Sequence, residues 1–190
     1  MNKLPSFLQV WIVVVFLLLA QLEPAAQTPA PKPLYSDPVY DGAADPVIIY
    51  NKQVRKWWMF YTNRRATIQD TTGVAWVHGT RIGIAESADG SNWQYKDTAD
   101  INFRPDSGYT FWAPDITEFN GVYHMFLTYV PGIFSNWNHP RDIIHLSSKN
   151  LLNWQYESTL PLANHKVIDA SVFRMAGGNW RLWRLSARLR

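Results

Sequence analysis

The sequence predicts an all-β fold, a partial β-propeller of about two and a half blades built from four-stranded antiparallel sheets. Three observations carry this. A fourteen-residue segment recurs along the chain, an aspartate opens each of three successive units, and no helical periodicity separates the apolar runs.

The repeat comes first. Ile82-Gly-Ile-Ala-Glu-Ser-Ala-Asp-Gly-Ser-Asn-Trp-Gln-Tyr95 aligns without gaps to Ile143-Ile-His-Leu-Ser-Ser-Lys-Asn-Leu-Leu-Asn-Trp-Gln-Tyr156. Each copy reads as a short apolar strand, a polar turn and a second strand beginning Asn-Trp-Gln-Tyr. Asp89-Gly90 supplies hairpin turn chemistry in the first copy.

Upstream of each copy lies a second recurring element. Asp45-Pro-Val-Ile-Ile-Tyr50 leads through a turn into Trp57-Trp-Met-Phe-Tyr-Thr62. Asp115-Ile-Thr-Glu-Phe119 likewise leads through Asn120-Gly121 into Val122-Tyr-His-Met-Phe-Leu-Thr-Tyr129. A third unit starts at Asp169, turns at Gly177-Gly178-Asn179 and enters Trp180-Arg-Leu-Trp183. Four strands per unit, with units of roughly 50 to 60 residues, is the pattern of propeller blades. A β-sandwich with repetitive hairpins is the competing architecture. The recurring aspartate favours the propeller, because first strands line the central channel and three blades would bring Asp45, Asp115 and Asp169 to one pocket.

The flanks have their own character. Lys3, an apolar run from Val10 to Ala20 and a small, Pro-rich stretch from Glu23 to Ala30 form the layout of a secretory signal peptide. Residues 1–26 are therefore expected to be a leader, with the cleavage point anywhere between Ala20 and Ala30, and 27–36 a Pro-rich linker. A secreted or periplasmic protein follows. An apolar stretch counted outward from Phe7 to Leu22 leaves an uncleaved anchor as the alternative. The propeller part spans 37–183. The remaining 184–190 is read as an atypical Arg/Leu tail, and a reading-frame change near Trp183 in a longer protein would account for it.

Composition excludes several classes. With no cysteine there is no disulfide framework, thiolate metal site or cysteine nucleophile. Ten Trp, nine Tyr and nine Phe supply ample apolar area for a packed core. The net charge of +3 is a terminal effect, since Arg181, Arg184, Arg188 and Arg190 alone exceed it. No nucleic-acid footprint is indicated.

Ala44-Asp45-Pro46, Trp112-Ala113-Pro114-Asp115 and Val167-Ile168-Asp169-Ala170, in that order, resemble the five-bladed propeller glycoside hydrolases of family 43 and its relatives. The resemblance spans about Asp37 to Trp183. It implies a glycosidase acting on poly- or oligosaccharides such as arabinose-, xylose- or galactose-containing glycans, with no cofactor; some relatives hold a structural ion, but no metal-ligand spacing is visible. By the same resemblance Asp45 is the general base and Asp169 the carboxylate that tunes the pKa of the acid. Asp115 lies near the site, and with Trp112, His78 and His139 is a candidate sugar contact.

Those roles make chemical sense. An inverting glycosidase needs one carboxylate to activate water and one protonated carboxyl for the leaving oxygen, about 6.5–9.5 Å apart. A third carboxylate beside the acid raises its pKa by charge repulsion. Each residue also has a plainer reading. Asp45 and Asp115 adjoin prolines and suit turns, Asp37-Pro38 suits an entry turn, and His78 and His139 suit loop cores.

The general acid, a glutamate beyond the third blade's first strands, is missing from this chain. Glu86, Glu118 and Glu157 sit within the repeats and are unsuited to the role. The fragment is therefore expected to be inactive by itself. A non-catalytic sugar-binding propeller is the alternative function; a retaining mechanism of the fructan-cleaving type is a further one, though the Trp- and Asn-rich start of those enzymes is lacking at Asp41-Gly-Ala-Ala-Asp45.

Overall fold

The computed structural model describes residues 34–64, 72–103 and 108–186. The leader expected over 1–26, most of the linker and the last four residues lie outside the described residues. Among the described residues, no helix is long and apolar enough to cross a membrane.

The described residues form eleven strands in three sheets. The first blade is β1 (Ala44–Asn51), β2 (Lys56–Thr62), β3 (Ile82–Ser87) and β4 (Gln94–Thr98), paired in that order. After the short β5 (Asp100–Asn102), the second blade comprises β6 (Thr110–Phe119), β7 (Val122–Val130), β8 (Asp142–Ser148) and β9 (Asn153–Leu160). β10 (Val167–Arg174) and β11 (Trp180–Ser186) form the third, two-stranded sheet. All pairings within these blades are antiparallel.

The sequence repeat has a local cause. In the first blade the Ser87 hydroxyl accepts the N–H groups of Asp89 and Gly90, and the Asp89 carboxylate accepts those of Ser91 and Asn92. The Trp93 indole N–H then donates back to the Gly90 carbonyl at 3.1 Å. The second copy repeats this with Ser148, Asn150 and the Trp154 indole donating to the Leu151 carbonyl at 3.1 Å. Side chains that satisfy turn backbone are the reason such residues recur at hairpins. Gly90 takes φ +78° without penalty, while Leu151 is held at φ +65° by complete burial of its side chain.

Two features were not evident from sequence. β5 follows the first blade yet pairs in parallel with β9, the outer strand of the second, as Asp100 lies opposite Asn153 and Ile101 opposite Trp154. In addition, β11 continues through Arg184 and Leu185 to Ser186. The Arg/Leu stretch read as beginning a tail at 184 is therefore strand for three more residues, held by antiparallel pairing of Leu185 and Ser186 with Ile168 and Val167.

The main core lies between the first two blades. Trp58, Phe60, Ile82 and Ile84 of the first pack on Phe111, Met125, Leu127, Ile144, Leu146 and Trp154 of the second. Phe60 meets Trp154 edge to face, with ring centroids 6.0 Å apart. Each such fully buried side chain contributes about 1.5–3 kcal/mol. β6 is flanked by β1 on one side and β10 on the other, which sets the first strands of three blades side by side. At its entrance the chain is fastened by Asp37. Its buried carboxylate accepts the N–H groups of Val39 and Tyr40 and the Tyr61 hydroxyl, consistent with an entry turn.

Candidate active site

Each first strand carries one bulge near its start, and the register of each bulge decides which residues correspond. In β1 the register shifts between Ala44 and Val47, in β6 between Trp112 and Asp115, and in β10 between Ile168 and Ser171. The equivalent bulge residues are therefore Asp45, Ala113 and Asp169, followed by Pro46, Pro114 and Ala170. All three bulge residues have positive φ, at 51°, 45° and 54°. This corrects the expectation that Asp115 matches Asp45 and Asp169. Pairing fixes it two positions further on, level with Val47 and Ser171.

The bulges are tied to the preceding blade in the same way each time. The Ala113 N–H donates to Thr62 Oγ1 at 2.9 Å, and the Asp169 N–H donates to Thr128 Oγ1 at 3.0 Å. Both threonines are fully buried, and each faces the residue just before a bulge, Thr62 opposite Ala44 and Thr128 opposite Trp112. A positive φ costs a non-glycine residue about 1–2 kcal/mol, so these hydrogen bonds help hold a conformation the backbone would otherwise leave. Bulges re-aim side chains, and here they present two carboxylates at one end of the sheets.

Asp169 senses the charge of Asp45. Partial burial raises the Asp169 carboxyl above the usual range, the negative charge of Asp45 raises it further, and the Arg64 cation opposes both. Arg64 reaches Asp45 Oδ2 at 3.4 Å, and both side chains remain partly open to solvent. Asp115 plays another part. Its carboxylate accepts the Val172 N–H at 2.6 Å, fastening β6 to β10, and burial outweighs that bond to raise its pKa.

The β2–β3 and β7–β8 connections hang from the same end of the sheets as the bulges, since Thr62 and Val130 lie opposite the starts of β1 and β6. The two connections are joined by the Val74 N–H donating to the Ser135 carbonyl at 3.1 Å. Between them His78 and His139 are 0% and 1% exposed. This corrects the reading of both as sugar contacts: both rings are buried, and their nitrogens are turned to each other and to backbone carbonyls rather than to a ligand. They form a loop core with Trp112, itself buried and donating its indole N–H to the Val77 carbonyl at 2.8 Å. Phe134 stacks on His139 at 4.6 Å. Trp137 adjoins this group and is 51% exposed, so its ring is open to solvent.

The Nε2 atoms of the two histidines face each other at 3.2 Å, while the Nδ1 atoms face the carbonyls of Val74 and Pro140. Two neutral rings carry two hydrogens for these three contacts. Burial nevertheless holds both rings neutral, pushing His78 down and His139 down to about 4.

No glutamate among the described residues stands with Asp45 and Asp169. Glu86 pairs with Lys56 and Lys96 at the far end of β3, and Glu118 with Lys52 at the far end of β6. Both are held below the usual range, opposite to what a general acid needs. Glu157 accepts the Ser147 hydroxyl on the outer strand. The described residues bring no three His, Asp or Glu side chains together as metal ligands.

No family model and no curated protein matches the sequence. Solved structures do share its strand arrangement. An N-acetylgalactosamine deacetylase from F. plautii, in complex with blood group B trisaccharide, superposes with TM-score 0.58 at 16% identity, covering 75% of this chain and 40% of that one. A thermostable family-43 glycoside hydrolase gives TM-score 0.55 at 19% identity, covering 80% and 45%. The endo-arabinase of Bacteroides thetaiotaomicron VPI-5482 gives 0.54 at 22% identity, covering 80% and 48%. The chain thus spans less than half the length of each, and at such identities the likeness is one of fold. The chain is a partial β-propeller of the fold found in the family-43 type of glycoside hydrolase.

Proposed function

We propose that the chain carries the base and pKa-tuning carboxylates of an inverting glycoside hydrolase. The observation behind this reading is the placement of Asp45 and Asp169 at equivalent bulges, with the charge of one raising the pKa of the other and Arg64 beside both. Asp45, ion-paired to Arg64 and open to solvent, suits the base that takes a proton from attacking water. Asp169 suits a neighbour whose charge holds an acid protonated. The acid itself comes from outside the described residues. The substrate class is a poly- or oligosaccharide containing arabinose, xylose or galactose, and the leader-like start supports a secreted or periplasmic location.

A second reading, a sugar-binding propeller without turnover, is favoured by the absence of a suitable glutamate among the described residues. Titration with arabino- and xylo-oligosaccharides, run beside a panel of aryl glycosides on the chain joined to the segment that supplies the acid, separates the two. Turnover that is lost in Asp45→Asn and yields the inverted anomer supports the hydrolase. Binding without turnover supports the binding module, and neither binding nor turnover overturns both.

A further inference from the structure

Arg141 is 4% exposed, its Nε is sealed from solvent without a hydrogen bond, and among the described residues its guanidinium enters no ion pair. Burial lowers its pKa, yet a guanidinium stays protonated in proteins, so the charge remains. A buried charge with no partner is among the costliest arrangements a fold can keep.

The surroundings add to the charge. The Arg141 N–H donates to the His165 carbonyl at 2.8 Å and the Val167 N–H donates to the Arg141 carbonyl at 3.2 Å, so Arg141 and Lys166 lie on paired segments. Among the described residues the Lys166 ammonium donates only to neutral acceptors, Asn138 Oδ1 and the His139 carbonyl, each at 3.3 Å. Asp142, the acid next in sequence, is taken by His165 Nδ1 at 2.8 Å. The positive charge of both Arg141 and Lys166 is felt at His139. Two cations thus adjoin the connection that carries exposed Trp137, at the end of the sheets where Asp45 and Asp169 stand.

We propose that Arg141, with Lys166 beside it, receives an acidic group of the glycan, a uronate carboxylate or a sulfate ester, while Trp137 stacks on a neighbouring sugar ring. The planar guanidinium fork matches both oxyanions, and a sugar ring packs readily on an open indole face. This inference rests on the carbohydrate reading above and names the substrate class for it.

Calorimetric titration of the chain at low salt tests it with two matched pairs of probes. One pair is a xylo-oligosaccharide with and without a glucuronate branch; the other is a galacto-oligosaccharide with and without a sulfate ester. The acidic member of one pair is expected to bind at least ten-fold more tightly, and which pair shows the preference identifies the oxyanion. Arg141→Met abolishes that preference and Lys166→Gln weakens it. Lys166 is only half-buried, so its variant reads the same preference even if Arg141→Met does not fold. Equal affinity within both pairs overturns this inference and leaves the carbohydrate reading standing. Failure of all four probes to bind overturns both.

Discussion

Thr128 Oγ1 accepts the backbone N–H of Asp169 at 3.0 Å, so the second strand of one blade holds the carboxylate-bearing bulge of the next. Thr128→Val keeps the shape of the side chain and removes the acceptor. It is expected to destabilise the fold by about 1–3 kcal/mol, the cost of an unmet buried donor. Thr62→Val should act likewise through Ala113, whereas Thr→Ser at either position should recover most of the loss. Urea denaturation measures all four variants. A valine variant as stable as the parent would remove the bulge anchor from this account.

The electrostatic link between Asp45 and Asp169 has a sign that titration can read. Asp45→Asn removes the negative charge that raises the Asp169 carboxyl and should lower its pKa. Arg64→Met removes the opposing cation and should raise it. Carbon-detected NMR of the side-chain carboxyl follows both shifts, and movement of the two variants in the same direction would refute the assignment.

Stability should also fall on acidification through the buried histidines. His139 titrates at about 4 in the fold against 6.5 ordinarily, and His78 is displaced in the same direction. Below pH 6.5 the unfolded chain takes up protons that the folded chain refuses. The contribution is therefore complete above about pH 6.5 and drains away as the pH drops towards 4, amounting to on the order of 2–3 kcal/mol for His139. Unfolding free energies of parent and His139→Gln, measured across that window, should converge at the acid end.

Asp115 separates a fastening role from a ligand role. Asp115→Ala leaves the Val172 N–H without its acceptor and should cost about 1–3 kcal/mol, while Asp115→Asn retains an acceptor oxygen and should cost less. If instead both variants weaken oligosaccharide binding and leave stability unchanged, the carboxylate contacts sugar.

Much of the architecture was legible because its causes are local. Ser87 and Asp89, like Ser148 and Asn150, satisfy their own turns, so the hairpins leave a residue-type signature at a constant offset. Asp45 and Asp169 were legible for a related reason, each opening a strand with apolar residues behind it. The correspondence of Ala113 with them was not, because the bulge is set by how β6 pairs with β7, and Trp-Ala-Pro-Asp offers an aspartate two residues away as a decoy. The burial of His78 and His139 was equally hidden, since it depends on two connections from different blades closing over one another. β5 has three residues and a parallel partner more than fifty positions away, too short and too distant to mark the sequence.

That small strand has a consequence for how the molecule comes apart. Asp100 to Asn102 are covalently the end of one blade and, by hydrogen bonding, the margin of the next. Melting either blade therefore strips the other of a margin strand as well as of the shared core, and the pair should lose its structure as one cooperative unit, like overlapped roof tiles that lift together.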